Sequence, residues 1–154
     1  MYIRRYLERD AKEIAELFYN TIHQINSKDY TGEQIKVWAP DLRYEFWIKR
    51  VKEKNPFVAV ENGQVVGFAE LDPDGHVDCA YVHHQWQGKG VASKLLAEIE
   101  KEAQSLGVKR VYTEASITAK PFFEKRGFKV IKEQQVEKRG VKLTNFQMEK
   151  IFSW

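Results

Sequence analysis

The residues most able to do chemistry lie in a glycine-containing segment between a strand pattern and an amphipathic helix. This segment reads YVHHQWQGKGVASKLL and covers residues 81–96. The first N–H groups of a helix have no intrahelical partner, and the helix dipole adds positive potential there. Gly88 and Gly90 let the backbone approach a ligand closely, Ala92 keeps the first turn small, and Lys89 adds a positive charge. The pattern predicts an anion site that suits a phosphate group.

Two common phosphate-binding motifs do not fit this segment. The Walker motif requires a glycine where this chain has His83, and a Ser or Thr where it has Gly90. The dinucleotide motif requires a third glycine where this chain has Ser93. A Gly-x-Gly pair can also serve only as a tight strand-to-helix turn, so these residues alone leave the ligand open.

The adjacent histidines of the same segment raise the question of a metal site. Neighbouring residues of a strand face opposite sides, so His83 and His84 cannot easily bind one ion. Cys79 is the only cysteine, and no second histidine follows at helical spacing. Structural zinc sites use pairs of closely spaced Cys or His ligands that bind the same ion. This segment has no such pair, so we predict that the site needs no metal.

The elements that must position this segment follow from hydrophobic periodicity and turn residues. Asp10 with Glu13, Thr31 with Gln34, and Asp41 are predicted to begin three helices in the first third of the chain. A three-stranded antiparallel meander follows, with a tight turn at Asn62-Gly63. Strands are predicted at residues 2–6, 57–60, 64–71, 76–83, 109–114, 128–136 and 141–149, and later helices at 88–106 and 118–126.

This order of elements predicts one α+β domain, α/β by some schemes, with a mixed sheet over residues 1–154. The N-terminus lacks the apolar region of a signal peptide, and no apolar run reaches the roughly 18 residues that cross a bilayer. We therefore expect a cytoplasmic protein with no membrane partner. The net charge is only +3 and both signs are interleaved, which argues against a nucleic-acid partner.

Two motifs together resemble one protein family. Gln87-Gly88-Lys89-Gly90-Val91-Ala92 resembles the pyrophosphate-binding motif Q/R-x-x-G-x-G/A of the GCN5-related N-acetyltransferase (GNAT) family. Residues 119–128, AKPFFEKRGF, are similar to its second signature, a helix that ends in a Gly-Phe pair. The segment INSKDYTGEQIKVWAP at residues 25–40 resembles a bacterial subgroup of uncharacterised family members.

The resemblance implies a central, mostly antiparallel sheet with splayed middle strands and flanking helices. It further implies an acyl-CoA-dependent N-acetyltransferase, with acetyl-coenzyme A (acetyl-CoA) as co-substrate. The acetyl group would pass to a primary amine of a small molecule or peptide by direct attack in a ternary complex. By the same resemblance, the residues that contact the co-substrate are Val82, His83, Gln87, Gly88, Lys89, Gly90, Val91, Ala92, Ser116, Phe122 and Phe123.

The chain departs from the family pattern at one position. Phe123 stands where many members have a tyrosine that protonates the leaving thiolate. A thiol that resembles cysteine has a pKa of roughly 8.5, so its thiolate leaves tolerably near neutral pH. Water, Ser116, Tyr112 or Tyr81 could donate the proton instead. A backbone N–H of Val82 or His83 is the candidate donor to the carbonyl oxygen.

An alkyl ammonium must lose a proton before it attacks, so the reaction needs a base. The candidates are Glu70, His76 and Asp78 on the meander. Glu70 lies in an apolar run, which would raise its pKa, and regular alternation would place His76 and Asp78 on one face. Each has a structural alternative, because Glu70 could face solvent, His76 could be an exposed turn neighbour, and Asp78 could pair with a lysine. The residues alone leave the base open.

The acceptor, an amine of unknown identity, would bind between the first helices and the meander. His23, Asp29, Tyr30, Trp38 and Trp47 could line that pocket, although the spacing of both tryptophans fits the core better. The apolar residues 151–154 could fold back on the domain or cover a second subunit, so a homodimer is one expectation. Two other functions remain open. One is a sensor that binds acyl-CoA without turnover, which Phe123 favours, and the other is a domain that binds a protein partner through its apolar tail.

Overall fold

A computed structural model describes all 154 residues of the chain. It contains seven strands in one sheet and five α-helices, so the predicted α+β class is confirmed. The strands are β1 (Tyr2–Arg5), β2 (Phe57–Glu61), β3 (Gln64–Leu71), β4 (His76–Val82), β5 (Arg110–Ser116), β6 (Lys129–Lys138) and β7 (Val141–Ile151). The helices are α1 (Ala11–Gln24), α2 (Gly32–Trp38), α3 (Tyr44–Lys54), α4 (Val91–Leu106) and α5 (Lys120–Lys125), with 3-10 turns at Glu8–Asp10 and Asn26–Lys28. None of the helices has the length and apolar character required to span a membrane.

The sheet has the strand order β1-β2-β3-β4-β5-β7-β6. All neighbours are antiparallel except β4 and β5, which are parallel and pair only at His76–Tyr112 and Val77–Thr113. Beyond these pairs the two strands separate, although β4 continues to Val82 and β5 to Ser116. The middle of the sheet therefore opens into a cleft toward the carboxyl ends of both strands.

The sheet is covered on both faces, which explains the apolar runs of its central strands. On one face, α4 packs through Val91, Leu95, Leu96, Ile99 and Ala103 against Phe57, Ala59, Ala69, Val77 and Val111. On the other face, α1 and α3 pack through Ile14, Leu17, Trp47 and Val51 against Val58, Val60, Val65 and Phe68. A smaller cluster of Ile22, Tyr30, Ile35, Ala39 and Leu143 joins α2 to β7. The helices that border the cleft are thus held by separate cores.

The regular alternation predicted for β4 is wrong at one point. The register of β3 against β4 shifts by one residue between Ala69 and Leu71, so two residues of β4 face one of β3. A guanidinium nitrogen of Arg50 lies 3.0 Å from an Asp78 carboxylate oxygen and 3.5 Å from the Cys79 sulfur. Both neighbouring side chains therefore point toward α3. A β-bulge re-aims side chains in this way.

Two of the three predicted helix starts are confirmed and the one at Asp41 is wrong. The Thr31–Gln34 capping box is confirmed, with N–H···O distances of 3.2 and 2.8 Å. Asp41 does not cap α3, because that helix begins two residues after Leu42, with Arg43 in the left-handed region at φ 52°. Helix α1 begins directly after Asp10, as predicted, but the Asp10 carboxylate is buried and does not cap α1. It binds Arg4 at 2.7 Å and the Leu7 N–H at 2.6 Å, which ties β1 to the start of α1.

The apolar C-terminus folds back on its own domain. The Phe152 N–H donates to the Lys109 carbonyl at 2.7 Å, and the Trp154 indole N–H donates to the Val108 carbonyl at 2.8 Å. Their rings stack with centroids 4.0 Å apart. Of the two placements that the sequence left open, the structure has the intramolecular one.

Gly75 allows the turn before β4 to approach β5 closely, because it has no Cβ. Its φ is +101°, and a Cβ there would clash with the Arg110 carbonyl oxygen. The Tyr112 N–H donates to the Gly75 carbonyl at 3.0 Å. This close approach fixes the end of the sheet at which β4 and β5 remain paired.

We expect Gly75→Ala to lower the free energy of unfolding by at least about 3 kcal/mol, since backbone strain and a backbone clash add together. Gly63→Ala is the matched control, because Gly63 also has positive φ (+75°) but nothing within 4 Å of its missing Cβ. It should cost only about 1–2 kcal/mol. Urea unfolding measures both, and equal losses would contradict the role assigned to Gly75.

Candidate active site

A cavity of about 670 Å³ occupies the place where β4 and β5 separate. One side is formed by the glycine loop, the first turns of α4, and α5. The other side is formed by α1, α2, α3 and the β6–β7 hairpin. The cavity therefore joins the predicted anion site to the region between the first helices and the meander.

The glycine loop has the geometry that the sequence predicted. Gly88 and Gly90 have φ values of +72° and +82°, and nothing lies within 4 Å of either missing Cβ. Glycine is needed here for its backbone conformation, not because of crowding. The first intrahelical bond runs from the Lys94 N–H to the Gly90 carbonyl at 3.2 Å. The N–H groups of Val91, Ala92 and Ser93 consequently have no intrahelical acceptor.

Most of the loop residues border the cavity. Gln87, Gly88, Gly90, Val91 and Ala92 line it. The structure places Lys89 outside the lining, with its ammonium 5.0 Å from the centre of the Trp86 ring. The helix itself begins at Val91, three residues later than predicted.

Gln87 holds the loop against the end of β4. Its amide nitrogen donates to the Val82 carbonyl at 2.8 Å and to the His83 carbonyl at 3.4 Å. The Thr21 hydroxyl of α1 donates to the same Val82 carbonyl at 2.9 Å. The end of β4 is thus fixed from both sides of the sheet.

Of the two N–H groups named as candidate donors to the carbonyl oxygen, that of His83 is occupied, because it donates to the Val66 carbonyl at 2.9 Å. His83 also lies outside the cavity lining, and burial lowers the pKa of its imidazole. Hydrogen-bonded and non-bonded pairs alternate along an antiparallel ladder. The next pair, Gly67–Val82, is therefore non-bonded, and the Val82 N–H points away from β3 into the cleft.

Glu70 is completely buried, with 0% of its surface exposed. It accepts two hydrogen bonds from the Arg50 guanidinium, at 2.9 and 2.7 Å. Burial raises the pKa of Glu70 despite this partner, as predicted, and the solvent-facing alternative is wrong. Glu70 lies behind Arg50 and does not line the cavity.

Asp78 is the one candidate base that lines the cavity. Its carboxylate lies 3.0 Å from Arg50 and 2.9 Å from the Lys54 ammonium, so the predicted lysine pairing is present. Burial acts to raise the pKa of Asp78, but Lys54 and Arg50 outweigh it and the pKa lies below its usual range. Asp78 is therefore ionised at neutral pH.

His76 lies at the closed end of the cleft, outside the cavity lining. Its Nε2 is 2.8 Å from Glu114 and its Nδ1 is 3.3 Å from Asp72. The hydrogen bond to Glu114 raises the pKa of His76. Glu70 and His76 thus both lie near Asp78, but only Asp78 lines the cavity.

A family model described as an acetyltransferase (GNAT) domain matches residues 26–150. This chain belongs to the GNAT family. The resemblance carried by residues 87–92 and 119–128 is confirmed by the match and by the relatives below.

The chain is similar to named GNAT proteins over nearly its whole length. It is 36% identical over 146 residues to the uncharacterized N-acetyltransferase YafP of Escherichia coli, covering 95% of this chain and 93% of that protein. The crystal structure of a GCN5-related N-acetyltransferase from Rhodopseudomonas palustris has a TM-score of 0.92 at 33% identity, covering 98% and 95% of the two chains. The PaiA N-acetyltransferase of Thermoplasma acidophilum, solved in complex with coenzyme A, has a TM-score of 0.77 at 21% identity over 98% of both chains, which shows the shared fold.

The residues around the second GNAT signature form the floor of the cavity. Ser116, Phe122 and Phe123 all line it. The Ser116 hydroxyl accepts from the Ala119 N–H at 3.0 Å and so shapes the turn before α5. The two phenylalanine rings pack edge to face with centroids 5.3 Å apart.

The alternative proton donors occupy different places in this GNAT fold. Tyr81 lines the cavity, and burial raises the pKa of its phenol well above the usual value. Tyr112 lies outside the cavity lining and donates its hydroxyl proton to Asp74. Tyr112 is therefore too remote to protonate a leaving group in the cavity.

Arg126 is a cavity residue that sequence reasoning missed. Its guanidinium donates to the Ser93 hydroxyl in the first turn of α4. It also lies 3.9 Å from the centre of the Phe122 ring. No carboxylate pairs with it. The only sequence signal was a basic residue before the Gly-Phe pair, and packing of α5 against β5 and β6 brings its charge to the first turn of α4.

The predicted acceptor-side residues divide into two groups. Tyr30, Trp38 and Trp47 line the cavity, and Trp47 is also a core residue with 3% exposure. His23 and Asp29 do not, since His23 bonds the Ala39 carbonyl at 2.7 Å and Asp29 accepts from Thr118 at 2.8 Å. The sequence also missed several residues of this wall, namely Phe18, Asp41, Arg43, Phe46, Arg50, Leu143 and Asn145.

Two clusters have the spacing of metal ligands, and both contain Asp78. One adds Glu70 and Cys79, and the other adds Asp72 and His76. Arg50 and Lys54 reach into these clusters and balance their negative charge. The clusters are thus built as ion pairs between the sheet and α3.

We expect Arg50→Met to lower the free energy of unfolding by about 3–5 kcal/mol at pH 8, because it leaves the Glu70 carboxylate buried without a partner. A carboxyl whose folded pKa is raised stabilises the fold at low pH and loses that contribution as pH rises through the folded pKa. The loss relative to the unmodified chain should therefore shrink at pH 5.

Urea unfolding at the two pH values measures this difference. Lys49→Met is the matched control, since Lys49 is an exposed residue of α3 with no ion pair. It should change stability little at either pH. A loss for Arg50→Met that does not depend on pH would count against the buried Glu70 charge as its cause.

Proposed function

We propose that this GNAT chain transfers the acetyl group of acetyl-CoA to a primary amine by direct attack within a ternary complex. The observation that carries the proposal is the cleft between β4 and β5. There an unpaired strand edge leads directly onto a positive-φ glycine loop and the free N–H groups of α4. The complex of PaiA with coenzyme A supports the choice of co-substrate.

The cavity residues suit the separate parts of acetyl-CoA. Free N–H groups at the start of α4, together with Arg126, suit the pyrophosphate. The inward-pointing Val82 N–H suits a carbonyl oxygen on the pantetheine arm or the thioester. Phe122 and Phe123 offer apolar surface to the arm. When bound, acetyl-CoA supplies an activated acetyl group as a thioester.

Asp78 is the proposed base, because it lines the cavity and stays ionised at neutral pH. Its carboxylate would take the ammonium proton directly or through one water. The amine nitrogen then attacks the carbonyl carbon, a C–N bond forms, the C–S bond breaks, and the nitrogen releases its second proton to solvent. Coenzyme A leaves as a thiolate and takes a proton from solvent, Ser116 or Tyr81. Holding both reactants in one cleft supplies proximity.

A second candidate is an acyl-CoA sensor on the same fold. It is favoured by Phe123, a buried ring that cannot donate a proton where many relatives have tyrosine. A sensor binds the co-substrate without releasing its thiol.

Calorimetric titration with acetyl-CoA, followed by thiol release across a panel of primary amines, separates the two candidates. Micromolar binding with release supports the transferase. Binding without release from any amine favours the sensor, and absence of binding overturns both.

We expect Gly90→Asp to weaken acetyl-CoA binding at least about tenfold, through charge repulsion at the pyrophosphate. Asp tolerates the left-handed region better than most residues, so the fold should survive. Gly140→Asp is the matched control, because Gly140 has φ +81°, an open surrounding and a place on the β6–β7 turn outside the cavity. Calorimetry measures the acetyl-CoA affinity of both variants. An unchanged affinity for Gly90→Asp would contradict the assignment of the glycine loop as the pyrophosphate site.

We expect Asp78→Asn to lower kcat by about a hundredfold or more while acetyl-CoA affinity stays nearly unchanged, since a general base is lost. Asp72→Asn is the control, because Asp72 binds the same Lys54 at 3.0 Å but does not line the cavity. Glu70→Gln and His76→Gln complete the series. Full activity of all four variants would place the base elsewhere.

A further inference from the structure

The cavity continues beneath the strand edge toward the closed end of the cleft. This deep end lies on the α4 face of the sheet, above the last paired residues of β4 and β5. The side chains that line it come from β3, β4, β5, α4 and α5, and they are Ala69, Val77, Leu96, Ile99, Thr113 and Phe123.

This deep end offers almost only apolar surface. Its lining residues are between 1% and 7% exposed, as expected for the inner wall of a narrow pocket. The single hydroxyl, that of Thr113, donates to the Val77 carbonyl at 2.8 Å. No polar group there needs a water or a polar ligand, and an apolar cavity of this kind favours an apolar occupant.

Small residues open this pocket toward the strand edge. Ala69 and Ala80 lie opposite each other in the β3–β4 register, and both line the cavity. The pocket closes at Val77, three residues before Ala80, which is roughly 10 Å along a strand. The cavity lining therefore reaches from Ala80 to the Val77–Thr113 pair, a distance along the strand that is longer than a two-carbon group.

We propose that this deep end is an acyl pocket, and that the enzyme accepts linear, saturated acyl groups of several carbons in addition to acetyl. This inference rests on the proposed function, since it takes the thioester to lie at the cleft edge. Each methylene buried in the pocket contributes about 0.8 kcal/mol, which is about a fourfold gain. The gain ends when the chain reaches the Val77–Thr113 pair.

The first test compares acetyl-, propanoyl-, butanoyl-, hexanoyl- and octanoyl-CoA. Calorimetry gives the affinity of each thioester, and thiol release with one amine acceptor gives kcat/KM. Both should rise about fourfold per methylene over the first additions and fall for the longest chain. A maximum at acetyl-CoA, with affinity falling from propanoyl-CoA onward, would overturn the inference.

Two variants move the expected optimum in opposite directions. Ala69→Val fills the pocket and should shift the preferred chain toward acetyl. Ile99→Val enlarges the pocket by one methylene and should shift it toward longer chains. Ala97→Val, on the exposed face of α4, is the matched control and should leave the preference unchanged. Chain preferences that are the same in all three variants would also overturn the inference.

The outcomes distinguish this inference from the proposed function. Thiol release from acetyl-CoA with rejection of longer chains leaves the proposed function intact and removes only the acyl pocket. If no amine releases the thiol, the chain-length series of binding affinities still decides the pocket. No binding of any acyl-CoA would overturn both.

Discussion

The separation of β4 and β5 is the constraint on which the rest of the site depends. Each strand is satisfied along its other edge, β4 by β3 and β5 by β7, so neither needs the other for stability. The two strands share only two residue pairs. At the last pair, the Thr113 hydroxyl donates to the Val77 carbonyl. Beyond that point the inner edge of β4 must find other partners. The Val82 carbonyl finds them in Thr21 and Gln87, while the N–H faces the cavity.

The polar wall of the cavity depends on one buried ion pair. Glu70 is an anion placed inside the sheet by β3, and Arg50 from α3 is the cation that compensates it. The same guanidinium reaches Asp78 through the bulge of β4, and Lys54 reaches Asp78 from the next turn of α3. The docking of α3 and the charge at the cavity wall are therefore coupled. A change at Arg50 alters both, because a buried charge without a partner is costly.

The two ends of the cavity differ in chemistry. At the α4 end, backbone N–H groups and Arg126 offer positive potential without a carboxylate. Below the strand edge, alanines and aliphatic side chains from the main core leave an apolar space. A thioester linked to a pyrophosphate combines these two chemistries in one molecule. The acceptor side is different again, with aromatic rings beside Asp78 and Arg50.

The sequence by itself determined the features that depend on neighbouring residues. Periodicity placed the elements and their order, and turn chemistry placed the Asn62-Gly63 hairpin. The glycine loop before α4 predicted an anion site and, together with residues 119–128, indicated the family. These signals are local, because they depend on backbone φ and on residues three or four apart. Only the tertiary structure decided which candidate base faces the cavity and that the His83 N–H is occupied. A one-residue bulge reverses the facing of side chains, and contacts such as Arg126–Ser93 exist only after helices pack.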